Sequence, residues 1–150
     1  MTEVVQKQWL QHYPEEIPHS IDYDEKPLFA YLQEAAKEYP HQSALHFMGK
    51  EMTYLEVYES ALKLANELRK LGLQKEERVA IMLPNTPQSV ISYYAVLLAG
   101  GTVVQTNPLY TERELEHQLK DADVKILICV DLVHPRVMRV KDETSLEHII

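Results

Sequence analysis

The sequence predicts an α/β fold, a partial doubly wound and mostly parallel sheet flanked by helices. Three observations lead there. From residue 53 onward, apolar runs alternate with longer stretches of helical periodicity, in the order α, β, α, β, α, β, a short α, β. The runs Arg78-Val79-Ala80-Ile81-Met82-Leu83 and Val124-Lys125-Ile126-Leu127-Ile128-Cys129-Val130 are near-continuously apolar, as in strands covered on both faces. Capping boxes at Thr53-Tyr54-Leu55-Glu56 and Thr111-Glu112-Arg113-Glu114 mark two helix starts from the sequence alone.

Residues 1–26 read as an irregular lead-in, with Pro14, Pro18 and the apolar residues Trp9, Leu10, Tyr13 and Ile17 as anchors for a segment that drapes over a larger body. Residues 27–150 read as the N-terminal portion of a larger domain, about half of a doubly wound one. Pro27 stands where a first helical residue is often found, and Leu28, Leu32, Ala35, Ala36 and Tyr39 follow at helical spacing up to Pro40. Ser43 to Met48 reads as a short strand. After the turn Met48-Gly49-Lys50-Glu51, residues Met52 to Tyr54 pair back as a hairpin. The first capping box opens a helix with Tyr54, Tyr58, Ala61, Ala65 and Leu68 on one face and Lys63, Glu67 and Lys70 on the other; Gly72 stops it.

After the strand at 78–83, Pro84-Asn85 turns the chain, and Thr86 and Pro87 are the cap and first residue of a helix running to about Ala99. Gly100-Gly101 ends it, and Thr102 to Gln105 is the next strand. The helix opened by Thr111 carries Leu115, Gln118, Leu119 and Ala122. Val124 to Val130 is a buried strand, a short helix starts near Pro135, and Leu146 to Ile150 is a strand entering the core. The longest apolar stretch, Val90 to Val104, is interrupted by Ser92, Gly100, Gly101 and Thr102. It is too short to span a bilayer and reads as a helix followed by a strand.

At 150 residues, 45% apolar and 25% charged, the chain has the composition of one soluble domain with a core, not of a disordered or fibrous polypeptide. The net charge of −8 and the absence of a Lys/Arg cluster argue against a nucleic-acid partner. A polyanionic nucleotide needs concentrated local donors, and this chain shows no obvious set. Cys129 is the only cysteine, so no internal disulfide forms, in keeping with a reducing compartment. Met1 to Glu16 has no apolar core of a secretory signal.

Parallel sheets bind ligands beyond the carboxyl ends of their strands. Two such ends are visible: Leu83-Pro84-Asn85-Thr86 and Thr106-Asn107-Pro108-Leu109-Tyr110-Thr111. Asn85 and Asn107 are read first as satisfying turn backbone, with a ligand role second. No glycine-rich phosphate loop occurs, and Gly100-Gly101 closes a helix where phosphate would need one to open. The seven histidines have no metal spacing. His117, beside Glu114 and Glu116, reads as a solvated surface residue, and Cys129 as a buried inert thiol. No catalytic, cofactor-binding or metal-binding residue is assigned.

The strings Arg78–Asn85, Ala95–Gly101 and Asn107–Leu115 in order, preceded by Met52–Glu56, resemble the N-terminal region of the AMP-forming ligases. That superfamily includes acyl-CoA synthetases, luciferases and peptide-synthetase adenylation domains. Asn107 to Asp123 and Trp9 to Pro18 resemble its long-chain fatty acid–CoA ligase branch most. The resemblance implies activation of a fatty acid by ATP with Mg²⁺ to an acyl-adenylate, followed by transfer to CoA. It implies a cytoplasmic enzyme, with homodimer formation and peripheral contact at the inner face of the membrane left open. The family's Ser/Thr/Gly-rich phosphate loop with its lysine has no match between Met1 and Ile150. Position 150, after Ile149 and with no polar cap, is therefore expected to be an internal cut. On this reading the fragment is inactive and binds no ATP, Mg²⁺ or CoA by itself. The alternatives are a free-standing, non-enzymatic α/β interaction module and an AMP-forming ligase for a different carboxylic acid.

Overall fold

The computed structural model of the protein describes residues 8–150. Its elements in order are α1 (Leu28–Glu38), β1 (Ser43–Phe47), β2 (Lys50–Thr53), α2 (Tyr54–Lys70), β3 (Arg78–Met82), α3 (Pro87–Ala99), β4 (Thr102–Gln105), α4 (Glu112–Asp121), β5 (Ile126–Cys129), α5 (His134–Val140) and β6 (His148–Ile149). The strands β3 to β6 make one sheet in the order β4-β3-β5-β6, with every neighbouring pair parallel. A separate antiparallel hairpin joins β1 to β2 and leads straight into α2.

The near-continuous apolar strands are explained by layers on both faces. Val79 and Ile81 of β3 and Ile126 and Ile128 of β5 pack with Ala61, Ala65 and Leu68 of α2 and Ala95, Val96 and Ala99 of α3. The alternate residues, Ala80, Met82 and Leu127, pack with Leu115 and Leu119 of α4 and Val137 and Val140 of α5. Each strand thus feeds two cores through its period of two. Burying a leucine-sized side chain contributes about 2 kcal/mol, so these two layers dominate the stability of the sheet. The small helix residues Ala61, Ala65, Ala95 and Ala99 let α2 and α3 approach each other and the sheet closely. Among the described residues no helix is long and apolar enough to cross a membrane, and the Val90–Val104 stretch is α3 followed by β4.

Both capping boxes form. Thr53 Oγ1 accepts from the Glu56 backbone N–H while the Glu56 carboxylate accepts from the Thr53 N–H at 2.8 Å, and Thr111 and Glu114 repeat the arrangement. Gly72 follows α2 with φ +100°, the left-handed stop expected of it. Several expectations are corrected. Tyr54 begins α2 and is not in the hairpin strand, because the Thr53 cap turns the chain there. The face of α2 toward the core includes Val57, which is fully buried, while Tyr54 and Tyr58 stand at its margin. Thr86 occupies the cap position of α3, but its hydroxyl donates to Pro84 O at 3.4 Å and caps no N–H.

The strand expected over 124–130 is confined to Ile126–Cys129, and that expected over 146–150 to His148–Ile149. Leu146 still enters the core, and Ile150 continues the ladder by accepting from Cys129 N at 2.8 Å. In the lead-in, residues 1–7 lie outside the described residues. Gln8–His12 forms a 3-10 helix, and Trp9, Tyr13 and Ile17 are exposed, so they do not anchor in the core of this chain.

Candidate functional site

The strand order fixes where a crevice can open. From β3 the chain passes through α3 on one face to β4, then through α4 on the other face to β5 on the far side of β3. The winding reverses beside β3, and open α/β sheets take ligands beyond the carboxyl ends of strands at such a reversal. The segments that arrive there are 83–86 after β3, 106–111 after β4, and 130–131 after β5.

The 106–111 loop is held from several directions. Thr106 is buried and extends the β3–β4 ladder, its N–H donating to Ile81 O at 3.0 Å. Asn107 Oδ1 accepts from Leu109 N at 3.0 Å, and Tyr110 N donates to Asn107 O at 3.1 Å. Asn107 therefore satisfies turn backbone, as its position in the loop suggested. At the end of the loop the Glu114 carboxylate accepts from the Thr111 N–H and hydroxyl, at 2.8 and 2.7 Å. The Thr111 N–H is the main reason the Glu114 carboxyl titrates below its ordinary value, with the hydroxyl second. Gln118 Nε2 reaches back from α4 to Gln105 O at 3.1 Å, leaving its own Oε1 buried without a partner.

Arg136 of α5 makes the longest-range connection to this loop. One terminal nitrogen, Nη1, donates to Pro108 O at 2.9 Å and to Tyr110 O at 2.7 Å. Beside it, Arg139 Nε donates to Glu112 Oε1 at 2.5 Å on the surface. Between the two clamped carbonyls, the Leu109 side chain is 84% exposed, and Leu132, following β5, is 85% exposed.

The 83–86 loop behaves differently. Asn85 is exposed, and among the described residues its amide meets no hydrogen-bond partner, so it does not serve the turn backbone. A groove of about 310 Å³ separates this loop and the start of α3 from the hairpin, lined chiefly by Leu45, Phe47, Asn85, Pro87 and Val90. A second hollow of about 350 Å³ lies past β5 and β6, bordered by Cys129, Asp131, His134 and Ile150. Burial pushes the half-buried Cys129 thiol up, and Asp131 adds to this, so the sulfur stays protonated and unreactive. His117 is exposed on α4.

The structure thus brings Asn85 and Asn107 to one sheet edge on neighbouring strands and gives them different tasks. Arg136 was missed by the sequence reading because it acts on carbonyls 26 and 28 residues away, with no local pattern to announce it. Among the described residues no group of three His, Cys, Asp or Glu side chains could hold a metal ion. Nη1 of Arg136 is committed to the backbone carbonyls of Pro108 and Tyr110, so that nitrogen serves the shape of the 106–111 loop.

The profile of the AMP-binding enzyme family matches residues 32–150. A long-chain-fatty-acid–CoA ligase of Bacillus subtilis is 50% identical over 145 residues, covering 97% of this chain and 26% of that protein. A long-chain-fatty-acid–CoA ligase of Yersinia pestis is 40% identical over 148 residues, with the same coverage of 97% and 26%. The chain therefore spans about a quarter of the length of the curated relatives it matches, at their N-terminal end. Among solved structures, a long-chain-fatty-acid–CoA ligase from Archaeoglobus fulgidus superposes with a TM-score of 0.80 at 27% identity, over 87% of this chain and 28% of that one. An anthranilate–CoA ligase solved with anthranoyl-AMP also gives 0.80, at 25% identity over 83% of this chain and 24% of its own.

Proposed function

This chain belongs to the AMP-binding enzyme family, and from that premise we propose that it is the N-terminal part of a fatty acyl–CoA ligase acting on long-chain acids. The observation that carries the reading is the 50% identity over 97% of the chain to a long-chain-fatty-acid–CoA ligase. In the proposed activity, an intact protein of the relatives' length condenses a fatty acid with ATP to an acyl-adenylate and passes the acyl group to CoA. The part described here contributes scaffold: a two-faced sheet whose carboxyl edge borders the reacting groups. Mg²⁺, ATP and CoA are assigned to residues outside 1–150, because the carboxyl edge here lacks a converging donor set. No residue of this chain is assigned a catalytic role.

The test is fatty-acid-dependent exchange of pyrophosphate into ATP, measured for the intact protein and for residues 1–150. Exchange by the intact protein only is the expected result. Exchange by residues 1–150 alone would place the phosphate site in this chain and overturn the assignment. The acid itself is the less constrained half of the reading, since an anthranilate–CoA ligase shares the fold as closely as a fatty acid ligase does. A panel of fatty and aromatic acids on the intact protein distinguishes them by relative kcat/KM.

A further inference from the structure

The 106–111 loop combines two features that rarely meet. Its backbone is pinned at nearly every position, and yet it projects an apolar side chain, Leu109, almost wholly into solvent. A loop that served only to join β4 to α4 would need neither the pinning nor the projection. The pinning is also not local. Both carbonyls that flank Leu109 are taken by a single nitrogen of Arg136, from a helix that follows the next strand. Accepting charge-assisted hydrogen bonds at residues 108 and 110 turns those carbonyls inward, which fixes the outward direction of residue 109 between them. Arg136 is itself fixed by its neighbours: Val137 is fully buried against the sheet and Val140 nearly so.

We propose that Arg136 is a positioning residue of the ligase: through the carbonyls of Pro108 and Tyr110 it sets the geometry of the carboxyl-edge loop against the reacting groups. This rests on the function proposed above, which places that edge beside the site. Arg136 touches no substrate. It ties the loop after β4 to the helix after β5, on the side of the sheet where the winding reverses.

Three substitutions in the intact enzyme test this: Arg136→Gln, Arg136→Lys and, as control, Arg139→Gln. The control breaks the neighbouring surface pair to Glu112 and leaves both loop carbonyls held. Misplacement of a loop beside the reaction lowers the adenylation rate more than the binding of nucleotide. The Arg136→Gln enzyme is therefore expected to lose about tenfold to a hundredfold in kcat of pyrophosphate exchange, with KM for ATP within about twofold of wild type. Arg136→Lys keeps cationic donors but ends a bond length short, and recovers part of that rate. Arg139→Gln keeps the wild-type rate. Hydrogen-exchange mass spectrometry on the same proteins reads the loop directly: amides of 107–111 exchange faster in Arg136→Gln and not in Arg139→Gln.

Wild-type kcat in a folded Arg136→Gln enzyme would overturn the proposal, as would equal losses in Arg136→Gln and Arg139→Gln. If the wild-type enzyme itself shows no fatty-acid-dependent exchange, the ligase reading falls and the kinetic half of this proposal with it. Unchanged loop exchange in Arg136→Gln would sink the positioning role while leaving the ligase reading intact.

Discussion

Replacing Gly101 by alanine separates two reasons for glycine at one turn. Gly100 and Gly101 join α3 to β4, and they differ in kind. Gly100 sits at φ +88°, in the left-handed region, and a Cβ there would meet only Lys75, at 3.9 Å. Its constraint is conformational, at about 1 kcal/mol for a non-glycine residue. Gly101 is not in that region, and its constraint is space. A Cβ would lie 3.1 Å from Leu73 Cδ2, 3.1 Å from Val96 Cγ1 and 3.2 Å from Glu77 O. Leu73 and Val96 are buried and have nowhere to swing. The Glu77 carbonyl is tethered, since it accepts from Thr102 N at 2.8 Å where β4 begins. Overpacking of this kind costs about 2 kcal/mol, so Gly101→Ala should destabilise more than Gly100→Ala despite its permissive backbone. Urea unfolding of the chain followed by circular dichroism measures both. The decisive comparison repeats them in a Val96→Ala background. Removing Val96 Cγ1 should make Gly101→Ala cheaper by about 0.5–1 kcal/mol and leave the cost of Gly100→Ala unchanged. Equal costs in the two backgrounds, or a Gly100→Ala penalty larger than that of Gly101→Ala, would refute the steric account.

Two further outcomes are expected. Met48 and Gly49 both take positive φ, 49° and 76°, in the β1–β2 turn, and Met48 is almost fully exposed. Asparagine tolerates that conformation better, so Met48→Asn should stabilise the chain by about 0.5 kcal/mol, read as a raised urea midpoint. Glu56, Glu77 and Glu114 all titrate below their ordinary value of 4.5, chiefly because backbone N–H groups of Thr53, Gln74 and Thr111 donate to them. A carboxyl held lower in the folded state than in the unfolded one stabilises the fold above the unfolded value, and that stability disappears as pH falls through the folded one. The unfolding midpoint should therefore drop as pH falls below 4.5, and Glu114→Gln should flatten part of that dependence.

Where an element is defined by its own residues, the sequence was sufficient. Thr53 with Glu56 and Thr111 with Glu114 each close a cap within four residues, so both helix starts were legible. The two apolar strands were legible because burial on both faces leaves no alternation to misread. What escaped depends on contacts that residue type and spacing do not announce. Val57 of α2 is fully buried, while Tyr54 and Tyr58, which fit the same periodicity, stay at the margin. The Thr86 hydroxyl has the position of a cap, but bonding to Pro84 O uses it otherwise. At the start of β5 and β6 the pairing is irregular, because Lys125 O accepts from both Glu147 N at 2.8 Å and His148 N at 3.0 Å, and the regular register covers only Ile126–Leu127 with His148–Ile149. At the candidate site, Asn107 could be placed in its turn from sequence, but the contrasting freedom of Asn85 and the reach of Arg136 could not. Neither is encoded in neighbouring residues.

The carboxyl edge shows how holding a loop in shape limits what the same nitrogen can do for a ligand. Stabilising a reacting phosphate requires donors aimed at the ligand, with their hydrogen-bonding capacity still free. At this edge Arg136 Nη1 is turned onto the protein's own backbone, through Pro108 O and Tyr110 O. The same guanidinium nitrogen cannot also bind phosphate without releasing the loop. Moving it would free two carbonyls and lose the fixed direction of Leu109. The chain's net charge of −8 adds a general field unfavourable to a polyanion. Rigid loops on a packed sheet, by contrast, give the positional accuracy that a site needs from its surroundings. Holding shape and holding charge thus compete for Nη1 here, and the two hydrogen bonds of Arg136 show that nitrogen committed to shape.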